Sequence, residues 1–205
     1  MKKFIIIIIT LTLYNSSAYS HSQLTKSDPS NFTYIKKLNK IILEFNEVVT
    51  LSKFELFDSN FKNITININN IESQIIEINI PKIKNNEIYS YRFLVISADG
   101  HPVSSAGVFL LGNKKFNNKE YTLNFFEDKF LLKRSTKGLY SIKVPTNIIS
   151  IELRNKLLKA PIIIDNQNKV NLSFMIPFKG EWEITLIKEV DKFNIIRESK
   201  IIQVN

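Results

Sequence analysis

The sequence predicts an all-β chain: an N-terminal Greek-key sandwich followed by a second, smaller β-sandwich domain. Apolar and polar side chains alternate with a two-residue period along almost the whole length, the repeat of half-buried strands. No segment carries a 3.6-residue apolar stripe over three turns. The alternating segments are short and separated by polar turn residues, as in sandwich folds. Of the 205 residues, 44% are hydrophobic, which suits a packed core and argues against disorder. Cysteine is absent, excluding disulfides, iron–sulfur clusters, thiolate zinc sites and a Cys nucleophile.

Residues 1–20 read as an export signal. Lys2 and Lys3 give a charged start, residues 4–13 form an apolar run, and a short polar stretch ends in small residues. Such a run is too short to span a bilayer comfortably and has the layout of a secretory signal peptide; an uncleaved anchor is the alternative. Ala18-Tyr19-Ser20 supplies small residues at the third and first positions before a cut, which would free His21 as the mature N-terminus. A second small-x-small site, Ser16-Ser17-Ala18, would leave Tyr19-Ser20-His21 there instead.

Without Lys2 and Lys3 the chain keeps 26 basic and 19 acidic residues, a net charge of +7. The charge is unevenly divided. Residues 21–113 hold nine of each sign, whereas 114–205 hold 17 basic and 10 acidic. This step marks a domain boundary, and Gly112-Asn113-Lys114-Lys115-Phe116-Asn117-Asn118-Lys119 supplies a polar linker. The lysines of the second half are scattered singly among apolar alternations. That pattern favours a solvated face with weak attraction to anionic membrane over a nucleic-acid site.

Taken in order, Leu43 and Phe45 alternate with Glu44 and Asn46, and Phe54 to Phe57 adds a further strand. Ile64, Ile66 and Ile68 give the next strand, followed by Ile76, Ile78 and Ile80. Tyr89, Tyr91, Phe93 and Val95 keep the period, and Val108 to Leu111 closes the first half. In the second half, Tyr140-Ile142-Val144, Ile149-Ile151-Leu153, Val170-Leu172-Phe174-Ile176 and Trp182-Ile184-Leu186 alternate in the same way. Leu157 and Leu158 fit one helical turn. Trp182 reads as a core residue rather than a binding platform.

The two histidines fall at special places. His21 adjoins the predicted cut, and His101 stands in Ser97-Ala98-Asp99-Gly100-His101-Pro102-Val103, directly after a strand. Each alone is bland, a solvated terminal residue or a solvated turn. Together they supply a donor set. A freed His21 offers its α-amine and imidazole, and Asp99 and His101 add a carboxylate and a second imidazole. Three nitrogens and one oxygen suit tetragonal Cu(II), whereas zinc would prefer a tetrahedral site. Protons compete at both imidazoles and at the amine, so binding weakens as pH falls.

These residues resemble the CopC copper-resistance family. The likeness comprises His21 with Leu24, Ser27 and Pro29, then Ile42-Leu43-Glu44-Phe45-Asn46-Glu47 leading into Val49. It resumes at Tyr89-Ser90-Tyr91-Arg92-Phe93-Leu94-Val95-Ile96-Ser97-Ala98-Asp99-Gly100-His101-Pro102-Val103-Ser104 and covers residues 21–111. It implies a periplasmic Ig-like or cupredoxin-like β-sandwich that binds Cu(II) through His21, Asp99 and His101. It also implies a copper-transporting membrane permease or an oxidase-assembly factor as partner. Two departures stand out. Only Met175 remains after cleavage, so the Met-rich Cu(I) loop of some relatives has no counterpart. Ser105 and Ala106 also intervene before Gly107, where the family has glycine sooner.

The second half faintly resembles YtkA-like or FixH-like β-domains at Gly138-Leu139-Tyr140 and Pro177-Phe178-Lys179-Gly180-Glu181-Trp182. It holds no His, Cys or Met cluster, and no metal is assigned to it. Two other functional classes compete with copper handling without catalysis. A copper monooxygenase would also use an N-terminal His on a β-sandwich, but no flat aromatic platform for polysaccharide is evident. A metal-free interaction module would follow if the N-terminus stayed uncleaved. Cleavage before Tyr19 would instead put His21 third, where amine, amides and imidazole could grip Cu(II) without Asp99 or His101.

Overall fold

A computed structural model describes residues 22–112, 121–124, 131–132, 140–143, 147–165, 171–191 and 194–204. Residues 1–21, which contain the signal and His21, lie outside the described residues, as do linker residues 113–119.

All described secondary structure is β. The first half contains β1 (Leu24–Asp28), β2 (Thr33–Ile35), β3 (Lys40–Phe57), β4 (Asn63–Ile64), β5 (Ile71–Asn79), β6 (Glu87–Ile96) and β7 (Pro102–Leu111). The second contains β8 (Tyr121–Asn124), β9 (Leu131–Leu132), β10 (Tyr140–Lys143), β11 (Ile148–Arg154), β12 (Ile162–Asp165), β13 (Asn171–Phe174), β14 (Gly180–Asp191) and β15 (Asn194–Val204). Among the described residues the main sheet runs β1-β3-β6-β7-β12-β11-β14-β15-β9, with β4 and β5 also on β3 and β2 also on β7. β13, β10 and β8 form a second sheet.

The expected strands near residues 43 and 54 are one 18-residue strand, β3. Its alternation is interrupted rather than absent. Leu43, Phe45, Val49 and Leu51 face the first core at odd positions, whereas Phe54 and Leu56 do so at even ones. The register shift against β6 between Leu51 and Lys53 changes the phase, because an extra residue turns every later side chain to the other face. The expected strand at Ile64, Ile66 and Ile68 shrinks to Asn63–Ile64, which pair with Phe57 and Leu56. Ile66 and Ile68 still pack against the core, so burial rather than ladder pairing accounts for their alternation. β1, β2, β12 and β15 lacked a clear alternating signal and are strands by pairing.

β6 and β7 lie between two hydrophobic cores. Tyr89, Tyr91, Phe93, Val95, Phe109 and Leu111 face a core closed by Ile41, Leu43, Ile76 and Ile78. Their other face presents Ile88, Ala106, Val108 and Leu110 to a second core containing Trp182, Ile184, Leu186, Phe174 and Met175. Both faces of β7 are therefore buried from Ala106 to Leu111. Gly107 permits a close approach here: a Cβ would stand 2.2 Å from the Tyr91 ring carbon Cζ. Trp182 is fully buried, and its Nε1 donates to the Phe178 carbonyl at 3.1 Å. Leu157 and Leu158 lie in a single turn closed by Lys159 N–H donating to Asn155 O at 3.2 Å, with Leu158 inward and Leu157 outward.

The halves meet along β7. Ala106 on β7 pairs with Ile162 on β12, and Ala106 N–H donates to Pro161 O at 3.0 Å. Beside this contact Arg92 binds Glu55 and donates to the carbonyls of Leu157 at 3.0 Å and Leu158 at 2.8 Å. Its guanidinium also lies 5.2 Å from the Phe57 ring centroid, within cation–π range.

Candidate metal centre

The Ser97-to-His101 segment joins β6 to β7 as a tight turn. Gly100 N–H donates to Ser97 O at 2.9 Å, and Ser97 N–H donates to His101 O at 3.0 Å. Gly100 has φ of 83°, a conformation glycine adopts without a Cβ penalty. The turn thereby brings the side chains of Asp99 and His101 together.

His101 Nδ1 lies 3.2 Å from Asp99 Oδ2. The imidazole is 61% exposed, whereas the carboxylate is 14% exposed, so the pair opens to solvent through the ring. Asp99 Oδ1 accepts from the Ser97 hydroxyl and from His101 N–H, the latter at 3.2 Å. Ser97 is itself buried, with Oγ 3.0 Å from His101 N. A carboxylate oxygen beside an imidazole is a hard and a borderline donor, a pair that suits Cu(II). Among the described residues no group of three or more His, Cys, Asp or Glu side chains stands where it could hold a metal. Asp99 and His101 are the two predicted ligands that the structure describes and brings together; the third, His21, is outside the described residues.

The chain next to His21 is nevertheless firmly attached. Ser22 is buried and its hydroxyl donates to the Glu47 carboxylate. Gln23 N–H donates to Asn46 Oδ1 at 2.7 Å, and Asn46 N–H donates to Gln23 O at 3.1 Å. β1 then pairs with β3 from Leu24↔Phe45 to Asp28↔Ile42. β5 occupies one edge of β3 from Lys40 to Leu51, so β1 and β6 share the other edge. β1 approaches residue 47 from one side, and β6 reaches Thr50 from the other through Ile96. Ser22 and Ile96 are thus bound to points three residues apart on β3, a separation of at most about 10 Å.

Sequence reading assigned no role to Ser97, Ser22 or Asn46. A signal for Ser97 was present in its spacing: Ser two residues before Asp, and Gly after it, is the pattern of side chains that bond to nearby backbone. Ser22 and Asn46 gave none, since their contacts join segments 23 or more residues apart.

Comparison with known proteins bears on the first half. A stretch of 115 residues is 27% identical to the copper transport protein CutJ of Bacillus subtilis (strain 168), covering 53% of this chain. The match spans 21% of that protein's length. CopC from Methylosinus trichosporium OB3b aligns with a TM-score of 0.40 and 20% identity, over 46% of this chain and 97% of that one. The copper resistance protein PcoC from Escherichia coli aligns with a TM-score of 0.33 and 17% identity, over 43% and 98%. Residues 24–112 match the family model described as the CopC domain, the stretch that includes the Asp99-Gly100-His101 turn.

Proposed function

We propose that the chain is a periplasmic copper-binding protein that takes up Cu(II) through the α-amine and imidazole of His21, the Asp99 carboxylate and the His101 imidazole. The unit that binds is residues 21–113, after export and removal of residues 1–20; residues 114–205 form a β-rich domain to which no metal is assigned. The role is sequestration or delivery without catalysis, with a copper-transporting membrane permease or an oxidase-assembly factor as partner. PcoC, by its title, and CutJ, by its name, are linked to copper.

The observation that carries this reading is the shared edge of β3. β1 runs toward residue 47 with Ser22 tied to Glu47, and β6 ends at Thr50 before the Asp99-Gly100-His101 turn. In this reading the residue before Ser22 supplies the remaining nitrogen donors, and the closeness of Ser22 to the end of β6 supports it. The terminal amine of His21 exists only if the cut falls after Ser20. Copper would be cargo here, and the donors supplied by this chain are nitrogen and carboxylate oxygen, which favour Cu(II) over Cu(I).

The test is Cu(II) titration of the processed protein followed by paramagnetic resonance, after mass spectrometry of the mature N-terminus. One equivalent with a nitrogen-rich tetragonal spectrum is expected, weakened by at least about tenfold in His101→Ala. Equal affinity and an unchanged spectrum in that variant would overturn the site.

A further inference from the structure

Ser97 is buried at 4% exposure, yet it is neither a ligand nor part of either hydrophobic core. A buried hydroxyl must be satisfied, and this one sits amid three polar groups. Its Oγ contacts Asp99 Oδ1, lies 3.0 Å from His101 N and 2.8 Å from His101 O. A hydroxyl has one proton. Of the two acceptors in reach, the Asp99 carboxylate and the His101 carbonyl, the charged carboxylate is the stronger. Ser97 therefore donates to Asp99 and accepts from His101 N–H.

The consequence concerns the orientation of the carboxylate. Two donors, Ser97 O–H and His101 N–H, converge on Oδ1, which leaves Oδ2 facing the imidazole at 3.2 Å. Closing the turn does not require this contact: Gly100 N–H to Ser97 O and Ser97 N–H to His101 O already do so through backbone. The side chain adds the choice of which carboxylate oxygen is presented. We infer that Ser97 is a positioning residue for copper, orienting Asp99 so that Oδ2 and the His101 imidazole face the metal together. This rests on the reading of Asp99 and His101 as ligands. Removing such an outer partner from a metal site typically costs 10–100-fold in affinity.

The experiment measures Cu(II) affinity by chelator competition, with the paramagnetic resonance spectrum, in the processed full chain. Ser97→Ala is expected to lose 10–100-fold in affinity and to shift the spectrum, while Ser97→Thr, which keeps the hydroxyl, stays near the original. In an Asp99→Ala background, Ser97→Ala should cost nothing more, because its effect runs through that carboxylate. An equal loss in both backgrounds would show a merely structural role and overturn the inference, as would unchanged affinity and spectrum in Ser97→Ala. If Ser97→Ala does not fold, Ser97→Thr decides: a tenfold loss with the hydroxyl retained overturns the inference, and unchanged affinity supports it. Should His101→Ala bind as well as the original, the ligand reading fails first, and this is distinguishable because no Ser97 variant enters that comparison.

Discussion

Asp99 and His101 stand two residues apart, and Gly100 between them makes that spacing usable. With φ of 83° it turns the chain so that both neighbours' side chains meet within 3.2 Å. The motif was legible because local spacing and local geometry coincide. Gly107 is a different case. No turn needs it; the Tyr91 ring does, since a Cβ at residue 107 would stand 2.2 Å from the ring. Tyr91 cannot withdraw, because it is fully buried, stacked on Phe54 with ring centroids 5.6 Å apart. Burial also pushes the Tyr91 hydroxyl up to about 12, even though a hydrogen bond with Ser27 opposes the shift. Gly107→Ala should therefore destabilise the fold by about 2–3 kcal/mol, the cost of overpacking a full core. A thermal melt within about 2 °C of the parent would contradict this, given some 2–4 °C per kcal/mol for a chain this size. Sequence reading marked Gly107 only as a departure from the family pattern; its ring partner is 16 residues away on the neighbouring strand.

At the scale of elements, β3 organises the first half by serving several partners at once. β5 takes one edge, and β1 and β6 divide the other. The alternation of Leu43 and Phe45 was readable, but the continuity of the strand was not, because the register shift between Leu51 and Lys53 re-phases it. Glu55 on β3 joins Arg92 on β6 and Lys53 at 3.1 Å. The hydrogen bond from Arg92 is the main reason its carboxyl is held below its ordinary value of 4.5, with burial working the other way and Lys53 adding to the lowering. A carboxylate whose folded pKa is depressed contributes stability above the unfolded value and loses it as pH falls through the folded one. The contribution of Glu55 is therefore intact above about pH 4.5 and fades below it. Glu55→Gln should be less stable than the parent at pH 7, with the gap narrowing toward pH 3. Denaturant titrations at the two pH values measure this, and a gap that stays constant or widens in acid would count against it. Glu152 on β11 repeats the arrangement: burial acts to raise its pKa, but hydrogen bonds from Arg154 and Arg197 outweigh it and lower the net value.

For the whole molecule, the informative surface is the outer face of β6 and β7. Ile88, Val108 and Leu110 are buried there, beside Phe57 of β3, against side chains from the second half. Burying each such side chain is worth about 1.5–3 kcal/mol. A chain ended after Gly112 would expose them as a contiguous apolar patch, which soluble domains rarely leave open. Such a chain should unfold at lower temperature, bind a hydrophobic dye and self-associate, as measured by melting, dye fluorescence and sedimentation. If it matched the full chain in all three, the shared core would contribute little. The charge step near residue 113 marks a change in surface composition, but surface charge carries no information about what packs beneath it. The same core surrounds Met175 and Trp182, both fully buried.

By itself the sequence determined the all-β class, most strand positions, the core role of Trp182 and the Asp99-Gly100-His101 motif. Each depends on periods or spacings of a few residues, which geometry converts directly into a face, a turn or a pair. Tertiary structure decided that β3 is one strand, that β7 is buried on both faces from Ala106 to Leu111, and that β1 and β6 converge on one stretch of β3. Those facts depend on pairings between residues tens of positions apart. No local period records them, because a strand's alternation says which face is buried but not which partner buries it.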